Sequence, residues 1–245
     1  MLGHCKAGNW KNCLVLELSV DSAPLTQVKL DALWSEIQNA LAESSWAEAE
    51  GLIRRFVQLV PAAPVEVWDV LAYALLMQAD YSACLAVLKP WSNHATRNFW
   101  VNHKIGDALR GLNRLNEAVG AYRLSLADGS NTPLTVRNLL QVLDALAPQK
   151  AVSQLAEWHS QGPLPSFVLE GAREAAVLVP SLDLAEALFL SGAANAPCRR
   201  RLLEAACYSF DLRTCARLLD ASRLSADGLS AWELKLQAML GIISD

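Results

Sequence analysis

Four histidines stand in the sequence, His4, His94, His103 and His159, and no two are three or four residues apart. No single helix face can therefore present a histidine pair to a metal ion. Six cysteines, Cys5, Cys13, Cys84, Cys198, Cys207 and Cys215, include no C-x-x-C pair and no zinc-type spacing. Thiols so scattered suit a reducing, cytoplasmic compartment. The phosphate-cradling G-x-x-x-x-G-K, the dinucleotide G-x-G-x-x-G, the zinc-protease H-E-x-x-H and the nucleophile-elbow G-x-S-x-G are all missing. Carboxylates are plentiful but are spread as on ordinary surface helices. The expectation is a chain that is not an enzyme, with no catalytic, cofactor or metal site.

Charge points the same way. The 21 basic and 25 acidic residues leave a net charge of -4, which disfavours a nucleic-acid groove. The densest basic stretch, Arg199 to Arg201 with Arg213, Arg217 and Arg223 behind it, is interrupted by Glu204, Asp211 and Asp220. It reads as a solvated helix face rather than a phosphate site. With 53% hydrophobic residues the chain can bury a large core. Its first eight residues lack the apolar centre of a signal peptide, and runs such as Leu71 to Met77 are too short to span a bilayer. Most of the eight tryptophans read as core, with Trp34 and Trp100 the better candidates for partner anchors.

Residues of this kind need elements to position them, and those elements repeat. A small residue recurs at Cys13, Ala49, Cys84, Ala118, Ala151, Ala185 and Cys215, at separations of 36, 35, 34, 33, 34 and 30. Four residues after most of them stands a large side chain: Ile53, Leu88, Tyr122, Leu155, Phe189 and Leu219. Pro61, Pro163 and Pro197 fall twelve residues after the small position, where one helix should end and the next begin. The clearest unit runs from Trp100 through Ile105, Gly106 and Leu109, breaks at Gly111 and Asn113, and resumes through Ala118 and Tyr122. This pattern predicts a helix, a tight turn and an antiparallel helix, with Gly106 and Ala118 at the crossing and Gly111 and Asn113 free to take positive φ. The preceding unit, Trp68, Leu71, Ala72, then Tyr81, Cys84 and Leu88, repeats the plan.

Trp68, Leu71, Gly106, Ala118, Tyr122 and Pro61 each occupy a slot of the tetratricopeptide pattern, and the chain resembles that family. The match is close from residue 30 to 130 and looser after it, where Leu139, Arg173 and Leu203 replace the expected small residue. The resemblance implies an all-α fold, a right-handed α-solenoid of about six antiparallel helix pairs in one repeat domain spanning 1–245. An incomplete repeat is expected over 1–24, divergent helical repeats over 131–227, with pairs at 134–158, 165–190 and 197–222, and a capping helix over 228–241. The half-repeat at the start, with a second helix over 8–20 but little before it, reads as a cut from a longer array or as a surface for self-association.

In arrays of this family the first helices line a concave groove, which implies a protein or peptide partner and a scaffold or adaptor function. The residues expected to face away from the second helices are Trp34, Gln38, Asp69, Tyr73, Trp100, His103, Asp107, Arg110, Arg137, Gln141, Glu170, Glu174 and Arg200. Their mixed charge and aromatic content suit an extended peptide or a helix better than a polyanion. The Lys and Asn clamp with which some relatives capture an acidic chaperone tail is missing, since those slots hold Trp34, Gln38, Asp69 and Tyr73. The alternative is the repeat region of a longer enzyme of glycosyltransferase or methyltransferase type.

Overall fold

The structure, a computed structural model, describes residues 23–92, 98–223, 230–239 and 241. Among them are thirteen α-helices and no strand. The second helix and half-repeat expected within the first 22 residues lie outside the described residues.

The chain divides into two compact units, 1–128 and 129–245. The first holds three helix pairs: α1 (Ala23–Ala42) with α2 (Trp46–Leu59), α3 (Val65–Met77) with α4 (Tyr81–Leu88), and α5 (Phe99–Gly111) with α6 (Leu115–Ala127). The second holds α7 (Pro133–Leu146) with α8 (Pro148–Ser160), α9 (Ser166–Leu178) with α10 (Asp183–Leu190), and α11 (Ala196–Tyr208) with α12 (Leu212–Arg223). A short α13 (Ala231–Met239) packs on α12. In the first unit every helix packs on the next in sequence, and in the second α7 packs on α8, α9 on α10, α10 on α11 and α11 on α12. A second layer of contacts joins α3 to α5 in the first unit, and α7 to α9, α9 to α11 and α8 to α10 in the second. First helices thus touch first helices in both units, and in the second unit two second helices, α8 and α10, touch as well.

The small residues that mark the repeat explain this packing. Ala49, Cys84, Ala118, Ala151, Ala185 and Cys215 lie on α2, α4, α6, α8, α10 and α12, and every one is fully buried. Four residues on, Ile53, Leu88, Tyr122, Leu155 and Leu219 are buried too. Phe189 is only half-buried, and its neighbour Leu188 fills the core in its place.

Four of the pairs share one turn. Three residues join α1 to α2, α3 to α4, α5 to α6 and α11 to α12, and the middle one has left-handed backbone: Ser44 (φ 58°), Ala79 (59°), Asn113 (57°) and Phe210 (57°). The third residue donates its N–H back to a carbonyl five residues earlier: Ser45 to Ala40 at 2.8 Å, Asp80 to Leu75 at 2.9 Å, Arg114 to Leu109 at 2.8 Å, Asp211 to Ala206 at 2.9 Å. The middle N–H bonds the carbonyl three before it, on Leu41, Leu76, Arg110 and Cys207. Together these are the paired bonds of a Schellman motif, which satisfy the last carbonyls of the first helix. The buried small residue follows the left-handed one by five positions each time. The other two pairs turn differently: only Ala147, in extended backbone (φ -171°), separates α7 from α8, and residues 179–182 separate α9 from α10. That change of turn falls where the sequence resemblance loosens.

Three glycines are placed by close approach. A Cβ on Gly106 would lie 2.6 Å from the Tyr122 ring, so the expected α5–α6 crossing is there, with the tyrosine ring filling the space beside the glycine. Gly111 takes no part in the left-handed turn, contrary to expectation. It ends α5 in helical backbone, and a Cβ on it would meet the Tyr81 ring at 2.4 Å. In the second unit the close contact is between two first helices, where a Cβ on Gly171 would sit 2.5 Å from the Pro133 carbonyl oxygen and 2.7 Å from Val136 Cβ. Arg173, standing where a small residue is expected, instead donates to the Ala193 carbonyl at 2.8 Å.

Gly106→Ala should lower stability by about 1 to 3 kcal/mol in urea unfolding, because Tyr122 has no room to retreat. Gly120→Ala, on the open face of α6 with nothing within 4 Å, should leave stability unchanged or raise it by up to about 1 kcal/mol. Equal effects of the two substitutions would contradict the placement of the crossing.

Candidate partner-binding face

Helix α5 is the centre of the first unit's polar chemistry. Asn98 caps it, its Oδ1 accepting the Trp100 N–H at 3.0 Å, and α3, α4 and α6 all pack on it. Helical spacing then lines up Trp100, His103, Lys104 and Asp107 on adjacent turns. Lys104 Nζ donates to Asp69 Oδ1 on α3 at 2.7 Å and lies 5.4 Å from the centre of the Trp100 ring. The two charged side chains are only 10% and 8% exposed, so each depends on the other. Stranding one of them would cost about 3 to 5 kcal/mol.

Asp107 gathers the donors of the next turn. Tyr122 Oη donates to its Oδ1 at 2.6 Å, His103 Nε2 lies 3.3 Å from its Oδ2, and an Arg110 Nη lies 3.6 Å from Oδ1. The imidazole of His103 meets the Trp100 and Tyr122 rings edge-on, at 5.1 and 5.7 Å. Burial acts to raise the Asp107 pKa, but the hydrogen bonds and charge of His103, the Tyr122 hydroxyl and Arg110 outweigh it and hold the carboxyl below its ordinary value. Nearby, burial pushes the Cys84 thiol up to about 12, which removes it as a nucleophile at neutral pH. Asn102 donates to Asp128 at 2.7 Å and Ser125 to the Phe99 carbonyl at 2.9 Å. The cluster ties α3, α5 and α6 together.

Three residues expected to face away from the second helices turn inward instead. Asp69 and His103 are buried, at 6% and 2% exposure, and Asp107 bonds the second helix of its own pair through Tyr122. The reason is the width of the buried arc on α5: helices on several sides cover seven of its thirteen residues, and a face judged from one partner helix is too narrow. Trp34 is half-buried against Phe56, with ring centres 5.3 Å apart, and Tyr73 is half-buried edge-on to Trp46 at 5.6 Å. Trp100 and Arg110 are half-buried, and Gln38 is exposed. In the second unit Arg137 reaches Glu174 at 3.4 Å and links α7 to α9, Gln141 is half-buried, and Glu170 and Arg200 are exposed. Arg200 pairs with Glu204 one turn along its own helix at 2.9 Å.

The basic stretch is only partly the solvated face that the sequence suggests: Arg200, Arg213 and Arg217 are exposed, but Arg199 and Arg201 are held by other elements. Arg199 is 5% exposed and donates to Ser222, which donates in turn to Glu233 of α13. Arg201 bonds the carbonyls of Ala176, Val179 and Pro180, so its guanidinium caps the end of α9. Of Arg199 to Arg201, only Arg200 looks outward.

Sequence reasoning overlooked Lys104, Gly171 and Arg201. A lysine inside the apolar run of α5, 35 residues after Asp69, was the available signal for the first. An apolar cleft of about 660 Å³ also opens in the first unit, between Pro61, Trp68, Val87, Pro90 and Trp91 with Arg54 beside them. It lies among α2, α3 and α4, away from the α5 cluster. Among the described residues no group of three or more His, Cys, Asp or Glu side chains could hold a metal ion, and no helix is long and apolar enough to cross a membrane. No protein-family model matches the chain, and no curated protein matches it.

A carboxyl held below its ordinary pKa adds stability above that ordinary value, and the contribution is lost as pH falls through the folded-state value. The urea midpoint should therefore drop as pH falls below about 4, with Asp107 supplying part of the drop. Asp107→Asn should be less stable than the parent at pH 6 and should lose less between pH 6 and pH 3. Parallel curves for parent and variant would remove Asp107 from the acid response.

Proposed function

We propose that this chain is a tetratricopeptide-type scaffold, a right-handed α-solenoid whose first helices take up an extended peptide from a protein partner without catalysis. The observation that carries this reading is the packing of first helix on first helix inside each unit, α3 with α5, α7 with α9 and α9 with α11, with one fully buried small residue in every second helix. Where first helices touch, α3 with α5 in the first unit and α9 with α7 and α11 in the second, their outer arcs lie side by side as a surface for main-chain and side-chain contacts.

In the first unit Trp34, Tyr73 and Trp100 offer partly exposed aromatic faces beside the polar Gln38 and Arg110, and in the second unit Glu170 and Arg200 offer polar contacts. Asp69, His103 and Asp107 act behind it, fixing the helix that presents Trp100 and Arg110. The net charge of -4 and the mixed signs favour a peptide over a polyanion. A cytoplasmic setting suits the reduced thiols at Cys84, Cys198, Cys207 and Cys215.

Selection from a displayed library of random extended peptides tests the proposal. Enriched peptides should bind the parent chain and lose about tenfold or more in affinity for a Gln38→Ala, Arg110→Ala variant that still unfolds cooperatively in urea. Peptides that bind parent and variant alike, but lose affinity on Val87→Glu, would move the site to the α2–α4 cleft and overturn the first-helix assignment.

A further inference from the structure

The α11–α12 turn brings two thiols together. Cys207, half-buried in the last turn of α11, has its Sγ 3.6 Å from that of Cys215 in the first turns of α12, and both are free. Cys84 and Cys198 offer a contrast inside the same chain, since each is buried and neither is recorded against a second sulfur. Van der Waals contact between two sulfurs has to shorten to about 2.0 Å to become a bond, a movement that small rotations about the two side chains can supply.

We propose that Cys207 and Cys215 are an oxidation site, a pair that hydrogen peroxide or a related hydroperoxide converts to an intrachain disulfide. The steps balance. The partly exposed Cys207, as its thiolate, attacks the peroxide O–O bond; one oxygen stays as Cys207 sulfenic acid and the other leaves, with protons, as water. The Cys215 sulfur then attacks the sulfenic sulfur, the S–O bond breaks, and a second water carries away the hydroxyl and the thiol proton. Overall, two thiols lose two electrons and two protons to one peroxide, giving one disulfide and two waters. A small thiol reverses it by exchange.

The division of labour follows from surroundings. Cys215 is wholly covered, and burial together with the nearby Cys207 sulfur pushes its thiol up to about 11, so it is the slower of the two to meet a solvent oxidant. Held at contact distance, it needs no encounter to resolve the sulfenic acid. The bond closes a ring around the turn that carries the left-handed Phe210 and exposes Tyr208, Phe210 and Leu212, at 88%, 86% and 59%. Oxidation therefore fixes the one large aromatic tip on the surface of this pair.

The chain offers a convenient readout, because tryptic cleavage after Arg201, Arg213 and Arg217 separates the two cysteines into peptides 202–213 and 214–217. Native protein treated with equimolar hydrogen peroxide, then denatured, alkylated and digested without reductant, should yield these two peptides joined, with Cys84 and Cys198 alkylated. Dithiothreitol should release them. Cys215→Ala should accumulate Cys207 sulfenic and sulfinic acid with no link, and it should fold, since alanine fills the equivalent place on α2, α6, α8 and α10. Cys207→Ser should leave Cys215 a thiol. Parent protein in which both cysteines stay alkylatable, or in which Cys207 passes to sulfinic acid as fast as in Cys215→Ala, would overturn the proposal.

Discussion

How closely two helices can lie is limited by the side chains between them, and each second helix brings one buried alanine or cysteine to that contact. Six of them, one in each second helix, have no exposed surface at all. Wherever such a residue sits, the neighbouring helices can approach until their larger side chains interlock around it. Ile53, Leu88, Tyr122 and Leu219 then fall one turn further along and fill the core. At α5 and α6 the arrangement is closed from both sides, since Gly106 makes room for the ring of Tyr122 and Tyr122 uses its hydroxyl to hold Asp107.

Polar groups set the register that apolar packing alone leaves loose. Several reach across one repeat length: Lys104 to Asp69 is 35 residues, Gln149 to Asp183 is 34, Arg137 to Glu174 is 37, and Ser181 to Asp144 is 37. For Lys104–Asp69 and Ser181–Asp144, sliding one helix by a turn past its neighbour would leave a buried charge without its partner, which opposes the slip. The same logic accounts for Arg201, whose guanidinium serves carbonyls at the end of α9.

Much of this was legible in the residues. The recurrence of a small side chain at Ala49, Cys84, Ala118, Ala151, Ala185 and Cys215 located six helices and their buried faces, because a 34-residue period with one obligatory size is hard to produce by accident. The turns were less legible. Of the four left-handed residues only Asn113 is of a type that favours that backbone, while Ser44, Ala79 and Phe210 take it because the helices on either side demand it. The partner-binding face was the least legible. Choosing outward residues from a single helical wheel put Asp69, His103 and Asp107 on the open side, whereas α5 is enclosed by three other helices and its polar stripe is mostly interior. Arg199 and Arg201 misled for a related reason, since composition reports charge and not the carbonyls that wait for it.

The most direct test of the account is a size scan of the crossing residues. Leucine in place of Ala49, Ala118, Ala151 or Ala185 should each cost about 1 to 3 kcal/mol in equilibrium unfolding, while leucine at the exposed helix positions Ala145 and Ala156 should change stability by less than about 0.5 kcal/mol. Crossing-site variants as stable as the surface controls would show that close approach at these residues is not what holds the helix pairs together.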